Sequence, residues 1–243
     1  MPRSGTLLIC CQNLDFSGAN QVVLNIVAGT MHEGNVVILA PKLGPFASRF
    51  VECGAAVRTG NLVDLLRDIR DVFCIICNTI MTAPYVIDMA QRTYPTIWII
   101  HEWWDDEMIH ENLAIRSIDG MTVETVKSAM RNATRIVFVC GKQQRLYSPT
   151  APSSIIYVGV PAPSRKDGRE RKSPGYECPI PTPRRTCNFL SLGIICPRKN
   201  QVWAVKLFKK FAGSRDDVRL LIVGARYSSN TNPIKLSNST FIH

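Results

Sequence analysis

The first 160 residues alternate between short apolar runs and longer amphipathic stretches. The apolar runs are rich in β-branched residues and occur at Leu7–Cys11, Val36–Ala40, Val72–Cys77, Ile97–His101, Arg135–Cys140 and Ile155–Val158. Stretches with helical spacing lie between most of them, at Gly18–Met31, Pro45–Cys53, Leu62–Ile69, Met81–Arg92 and Thr122–Asn132. Because continuously apolar strands are buried on both faces, this alternation predicts a doubly wound α/β domain with a parallel sheet.

A second strand–helix–strand pattern follows a segment without hydrophobic periodicity. The segment 162–186 is rich in Pro, Arg and Lys, which predicts a linker. Two further strands are predicted at Cys187–Leu192 and Arg219–Val223, with an amphipathic helix between them. The predicted organisation is a Rossmann-like domain over 1–161, the basic linker, and a βαβ unit of a second Rossmann-like domain over 187–243. Since one βαβ unit cannot bury both faces of its sheet, we expect this second domain to be incomplete.

Composition and charge narrow the classes of partner. The chain is 46% hydrophobic and 20% charged, which is typical of a globular protein, and its net charge is +10. The segment from Ala162 to Thr186 holds seven basic and three acidic residues and supplies part of that excess. Positive charge attracts phosphates, anionic lipid surfaces and nucleic acid alike. Because the patterns of known nucleic-acid-binding motifs are missing, we expect no nucleic-acid partner.

The cysteines and the apolar runs indicate the compartment. Several of the nine cysteines lie inside apolar runs, which predicts reduced, buried thiols and a reducing compartment. Cys74 and Cys77 have the spacing of a metal-binding pair, but no second pair or histidine follows at zinc-site spacing, so we expect no metal site. No run has the length of a signal peptide or a membrane span. We therefore expect a cytoplasmic protein.

Two polar positions in the first domain follow strands, where ligands of open α/β sheets bind. Ser17 and Gly18 begin the first helix, where Gly18 allows a ligand to approach the free backbone N–H groups; the alternative is a plain helix start capped by Ser17. His101 ends an apolar strand and could bind a sugar hydroxyl or a phosphate oxygen; the alternative is a structural histidine. In the segment 102–107 that follows, the Trp pair could stack on a sugar or simply pack, and the carboxylates could be acid/base groups, although 105–107 fit a solvated helix start equally well.

A basic turn in the second unit is a third candidate site. Arg198 and Lys199 lie between the strand Cys187–Leu192 and the next helix. An anion is favoured at a helix start, and an arginine can bind two of its oxygens at once. Positive side chains there oppose the helix dipole, so we expect a bound anion to compensate; the alternative is ordinary surface charge.

Taken in order along the chain, these features resemble the family 4 glycosyltransferases of the GT-B fold. The matching segments are Ser17–Asn20, His101, Thr134–Val139, Tyr157–Pro161, Ser191–Gln201 and Leu220–Gly224. They cover nearly the whole chain apart from the basic linker and the tail. The resemblance implies transfer of a sugar from a nucleotide-sugar donor to an acceptor, with retention at the anomeric carbon and without a metal or a cofactor.

The resemblance also implies roles for individual residues. By position, Lys199 binds the donor diphosphate with Arg198 beside it, Gly18 and Ser17 approach the donor from the other domain, and His101 contacts the transferred sugar as the candidate catalytic residue. The acceptor is a glycan, a lipid or a small molecule, and the identity of the donor stays open.

The chain departs from the family pattern in several places. Ile194, Asn20 and Asn200 replace characteristic residues, and the Glu-x7-Glu motif that binds sugar and ribose has no counterpart. The resemblance therefore implies a truncated second domain that lacks half of the donor pocket. The alternative function is a noncatalytic remnant that binds a protein or, peripherally, an anionic membrane surface.

Overall fold

A computed structural model describes residues 5–31, 34–116, 121–159, 187–193, 195 and 199–224. The chain divides into two compact units, Met1–Pro163 and Ser164–His243, called unit 1 and unit 2 below. The predicted linker at 162–186 lies outside the described residues, so its bounds stay a prediction.

Unit 1 contains a seven-stranded sheet in which every neighbouring pair is parallel. Its strands are β1 Thr6–Cys11, β2 Asn35–Ala40, β3 Ala56–Thr59, β4 Val72–Asn78, β5 Thr96–Ile100, β6 Arg135–Phe138 and β7 Ser153–Ile155. They lie in the order β3-β2-β1-β4-β5-β6-β7. The order reverses between β1 and β4, and in doubly wound sheets ligands bind in the crevice at the carboxyl ends of such a pair.

Helices cover both faces of this sheet. They are α1 Gly18–Thr30, α2 Ala47–Glu52, α3 Leu62–Asp68, α4 Ala83–Gln91, α5 Asp106–Arg116, α6 Val123–Asn132 and α7 Gly141–Tyr147, with a 3-10 turn at Ile80–Thr82. On one face, Val27 of α1 packs with Ile9 and Ile38. On the other, Met89 of α4 packs with Trp98 and Phe138. Two apolar layers thus bury the strands on both sides, as the continuous apolar runs predict.

Unit 2 is a single βαβ unit in the described residues. Strands β8 Cys187–Leu192 and β9 Val218–Val223 pair in parallel, and α8 Gln201–Ala212 connects them. Phe189 packs edge-on against Phe208 and Phe211 at centroid distances of 5.7 and 5.5 Å, which fixes α8 on one face of the sheet. Leu190 is 62% exposed because it alternates with Phe189 and so lies on the opposite face, which no described helix of unit 2 covers.

The predicted fold class is confirmed, with local corrections. The last strand of unit 1 is Ser153–Ile155 and not Ile155–Val158, because pairing with β6 starts at Ser153 while the following apolar residues are exposed. Strand β3 and helix α7 were not predicted from the sequence, and α5 was predicted only as a solvated helix start. Strand β3 lies at the sheet edge and is mostly exposed, so it has no continuous apolar run to reveal it.

Six of the described cysteines are free thiols: Cys10, Cys11, Cys53, Cys77, Cys140 and Cys187. Cys77 belongs to the apolar layer with α4 whereas Cys74 packs against the layer with α1, so these two thiols face opposite sides of the sheet. Among the described helices, none is long and apolar enough to cross a bilayer.

Candidate functional site

The carboxyl ends of β1 and β4 place a buried polar side chain in the crevice where the strand order reverses. Asn78, the last residue of β4, lies beside Cys11 at the end of β1 and is completely buried. Side chains alternate along a strand, so Asn78 lies on the same face as Ile76, which packs in the layer with α1. The start of α1 and the end of β4 therefore belong to the same face and the same edge of the sheet.

The loop between β1 and α1 is held by its own side chains. The Ser17 hydroxyl accepts a hydrogen bond from the Asn20 N–H at 3.1 Å, so Ser17 caps α1 as in the alternative interpretation of this loop. The buried Asn20 side chain donates from Nδ2 to the carbonyl oxygens of Asn13 and Asp15, at 3.1 and 2.8 Å. Asn20 thus closes the loop through its own side chain, and this internal role was not predicted from the sequence.

Gly18, the first residue of α1, borders open space. A Cβ atom built on Gly18 would meet no atom of the described residues within 4 Å, and the φ of Gly18 lies outside the left-handed region. Neither packing nor backbone conformation in unit 1 therefore requires a glycine here. A ligand can reach the N–H groups at the start of α1 through this space, and a side chain at position 18 would narrow it.

His101 follows β5 and contacts the end of β4. Its Nε2 lies 2.9 Å from Asn78 Oδ1, and its backbone N–H donates to Glu102 Oε2 at 3.1 Å. Burial lowers the pKa of His101 from 6.5 to about 4, because the imidazolium loses hydration. The ring is therefore neutral near pH 7, with one donor and one acceptor nitrogen.

Glu102 ties the His101 loop to the neighbouring strands. Its Oε2 accepts from the N–H of Ile80 at 2.9 Å, at the start of the 3-10 turn that follows β4. Its carbonyl oxygen accepts from Gln143 Nε2 at 2.7 Å and from the Tyr147 hydroxyl at 3.2 Å, both on α7. The partners of Glu102 and the role of Asn78 were not predicted from the sequence, although a polar residue directly after the apolar run Val72–Cys77 was a visible signal.

Thr79 links β4 to the 3-10 turn in a strained conformation. Its φ of 77° and ψ of 160° fall in a region that β-branched residues avoid. Three hydrogen bonds of 2.8 Å hold it there: its N–H donates to the Ile99 carbonyl, and its own carbonyl accepts from Trp98 Nε1 and from the Thr82 hydroxyl. Such strain persists only where the surrounding structure fixes it, and it is concentrated at functional sites.

The residues after Glu102 divide between packing and helix capping. Trp104 packs against the apolar core, whereas Trp103 is 45% exposed. Asp105 Oδ1 accepts from the Met108 N–H at 2.9 Å and so caps α5, and Asp106 forms an ion pair with Lys127. Of the two readings of this segment, the solvated helix start is the one that these contacts favour.

The basic turn belongs to unit 2. Gly193 has φ 143°, and the stem of Lys199 lies over it, with Cε 3.7 Å from the position of an added Cβ. Helix α8 begins at Gln201, so Lys199 lies in the turn between β8 and the helix. Asn200 adopts a left-handed conformation at the cap and makes no side-chain hydrogen bond to the helix. Arg198 lies outside the described residues.

A cavity of about 700 Å³ opens on the α1 face of unit 1 but is apolar. Ile97, Ile99 and Val137 form its floor, and Ile26 of α1 forms one wall. The Asn25 side chain spans it with a 3.3 Å hydrogen bond to the Gly159 carbonyl. Its lining lacks charged side chains, so the edge site described above is better suited to a charged ligand than this cavity.

The predicted site residues therefore fall into two groups. Ser17, Gly18 and His101 lie at one edge of unit 1, and His101 is joined there by Asn78. Lys199 lies in unit 2 at the carboxyl end of β8. Within unit 1 the arrangement combines a neutral imidazole, a rigid buried amide and a helix start beside open space, which together can bind a hydroxyl-rich anion.

Comparison with known proteins identifies structural neighbours only. Neither a protein-family model nor a curated protein sequence matches the chain. The solved structure of Anabaena Alr3699/HepE in complex with UDP-glucose matches with a TM-score of 0.63 and 15% identity over 92% of this chain and 62% of its own. A structure of trehalose-6-phosphate from E. coli bound with UDP-2-fluoro glucose matches with a TM-score of 0.55 and 10% identity over 92% of this chain and 65% of its own.

A third neighbour is the glycotransferase of kitacinnamycin, with a TM-score of 0.51 and 12% identity over 91% of this chain and 66% of its own. The chain thus spans less than two thirds of the length of each of these neighbours. At such identities the likeness establishes the fold, and it confirms the GT-B-like α/β architecture that the sequence predicts.

Proposed function

We propose that this chain belongs to a glycosyltransferase that transfers a sugar from a nucleotide-sugar donor to an acceptor. The observation that carries the proposal is a neutral His101, hydrogen-bonded to Asn78, on the same edge of a GT-B-like sheet as the open helix start at Gly18. Support comes from the two structural neighbours that hold UDP-glucose or a fluorinated UDP-glucose. Membership of family 4 and retention at the anomeric carbon are the finer parts of this proposal.

In the proposed reaction, His101 contacts the transferred sugar. A neutral imidazole can exchange hydrogen bonds with sugar hydroxyl groups without placing a charge beside the anomeric carbon. Gly18, with Ser17 beside it, lets the donor approach the N–H groups at the start of α1, where the helix dipole favours negative charge.

Lys199, with Arg198 beside it, binds the donor diphosphate in this proposal. As the sugar leaves, negative charge grows on the diphosphate, and fixed positive groups stabilise that charge in the transition state. A lysine ammonium and helix N–H groups can carry out this task, so the proposed mechanism is independent of a metal and of a cofactor. The acceptor is proposed to be a glycan, a lipid or a small molecule, met in the cytoplasm or at the surface of an anionic membrane.

The test compares two glycine variants of the same helix. Gly18→Ala and Gly29→Ala both add a methyl group to α1 at positions with no atom within 4 Å, so neither should lower the melting temperature. We expect Gly18→Ala to weaken the binding of UDP-glucose, measured by calorimetry, by about 10-fold or more. Gly29→Ala, at the far end of the helix, should bind as the wild type does. Equal affinity in both variants would contradict the role of Gly18.

A second pair of variants tests the basic turn. Lys199→Ala should weaken nucleotide-sugar binding by about 10-fold, the loss of one charge-assisted contact, whereas Lys206→Ala removes an exposed lysine of α8 and should not. If the wild type binds none of several nucleotide sugars yet sediments with anionic vesicles in a salt-dependent way, the noncatalytic alternative replaces this proposal.

A further inference from the structure

Asn78 occupies a position where an apolar residue would be expected. It ends a strand whose preceding residues Ile75, Ile76 and Cys77 are buried, and it is itself completely buried. An amide is costly to bury unless its polar atoms are paired. Its strong hydrogen bond is the contact from Oδ1 to His101, which accounts for an amide here, whereas the Cys11 thiol beside it is only a weak partner.

The chemistry of this contact specifies which nitrogen of His101 carries the proton. An amide oxygen can only accept a hydrogen bond, so with Oδ1 at 2.9 Å a proton on His101 Nε2 is the arrangement that satisfies this contact. In a neutral ring, Nδ1 is then left without a proton and can accept a hydrogen bond. The charged or titratable groups beside the pair are the Glu102 carboxylate, which binds the His101 N–H, and the Cys11 thiol, whose pKa burial raises to about 12.

The backbone on both sides of the contact is fixed. Three hydrogen bonds hold Thr79, the residue after Asn78, in its strained conformation. Glu102 Oε2 accepts from the N–H groups of Ile80 and His101 and so joins the two loops that carry the pair. Such rigidity is typical of sites in which one residue supports another and holds it in the orientation that contacts the substrate.

We propose that Asn78 is a positioning residue that fixes the orientation and the tautomer of His101, so that Nδ1 is offered as an acceptor to a hydroxyl group of the transferred sugar. The sugar partner rests on the proposed function above. The assignment of the proton to Nε2 does not, and it can be tested separately.

The first experiment reads the tautomer by NMR. The chain has four histidines, so a full-length sample labelled with ¹⁵N-histidine gives few signals, and the His101→Gln spectrum identifies those of His101. At pH 7 we expect a protonated Nε2 and an unprotonated Nδ1. A proton on Nδ1, or an averaged mixture of tautomers, would overturn the proposal, and this measurement needs no folded variant of Asn78.

Two substitutions then test whether Asn78 fixes the tautomer of His101. Asn78→Asp places a carboxylate against Nε2, so His101 should become an imidazolium at pH 6, whereas Asn78→Ala should give a mixture of tautomers. The control Thr96→Val alters a buried polar residue at the start of β5, whose hydroxyl binds the Tyr94 carbonyl, and should leave the His101 signals unchanged. His101 signals that are unaffected in both folded Asn78 variants would refute the role of Asn78.

Kinetics separate positioning from binding. With UDP-glucose as the donor, Asn78→Ala should lower kcat about 10-fold, the effect of one misplaced hydrogen bond, with the donor KM close to the wild-type value. A raised KM with an unchanged kcat would contradict positioning. If the wild type neither binds nor transfers glucose, the proposed function loses its support while the NMR result still decides the tautomer.

Discussion

Replacing Thr79 by glycine should stabilise unit 1, although it removes a buried side chain. Thr79 has φ 77° and ψ 160°, a combination accessible mainly to glycine. Its side-chain oxygen is buried and has no hydrogen-bond partner among the described residues. Glycine relieves the backbone strain and removes the unpaired hydroxyl. It keeps the three hydrogen bonds that the N–H and carbonyl groups of residue 79 make.

The size of the effect follows from the opposing contributions. Relief of the backbone strain should contribute about 1–3 kcal/mol, and removal of the unpaired hydroxyl about 1–3 kcal/mol. Against this, glycine gives the unfolded chain extra entropy worth about 0.5–1 kcal/mol, and the buried methyl group is lost at about 0.8 kcal/mol. We expect the free energy of unfolding to rise by about 2 kcal/mol.

The assay is chemical denaturation followed by tryptophan fluorescence in a Trp203→Phe background, so that the signal comes from unit 1. Thr79→Ala removes the hydroxyl but keeps the Cβ atom, and it should gain only about 1 kcal/mol. Thr93→Gly is the matched control: Thr93 also has positive φ, at 63°, but its exposed hydroxyl donates to the Arg92 carbonyl. We expect that variant to gain at most about 1 kcal/mol, because relief of the left-handed strain is offset by the entropy that glycine adds to the unfolded chain and no unpaired hydroxyl is removed. A Thr79→Gly variant that is less stable than the wild type, or no more stable than Thr79→Ala, would refute the reasoning.

Two further predictions concern the site. The folded-state pKa of His101, about 4, lies below the ordinary value of 6.5, so its neutral form stabilises the fold above pH 6.5 and this contribution is lost as the pH falls through about 4. In the wild type, this effect should lower the free energy of unfolding by up to about 3 kcal/mol between pH 6.5 and pH 4. Denaturation curves of His101→Gln should lack this decrease, whereas those of His110→Gln, at an exposed residue of α5, should keep it. Gln143→Leu leaves the Val139 N–H and one bond to the Glu102 carbonyl unmade, so thermal unfolding should show a loss of about 2–4 kcal/mol; a change below about 1 kcal/mol would contradict the importance of this buried amide.

Much of the fold was predictable because its signals are local. Continuous apolar runs revealed six of the strands of unit 1 to within a few residues, and helical spacing revealed α1 and α8. The Ser17 cap was predictable for the same reason, since the hydroxyl binds an N–H only three residues away. The edge strand β3 was missed because exposure removes the apolar pattern on which such predictions rest.

The candidate site was predictable only in part. Its place beyond the strand ends, and His101 within it, follow from the alternation of strands and helices. The partners of His101 do not, because Asn78 is 23 residues away and Gln143 binds the Glu102 carbonyl across 41 residues. No local pattern encodes such contacts; they arise only when the carboxyl ends of β4, β5 and β6 come together in one sheet.

The sequence by itself determined the class of architecture, since the period of its apolar residues specifies which segments become strands and which become helices. Only the tertiary structure decided the chemistry at the sheet edge. It buries His101, so that the ring is neutral, and it brings Asn78 to Nε2. Protonation and tautomer depend on hydration and on a hydrogen-bond partner, and both of these are properties of the packed chain, not of the order of its residues.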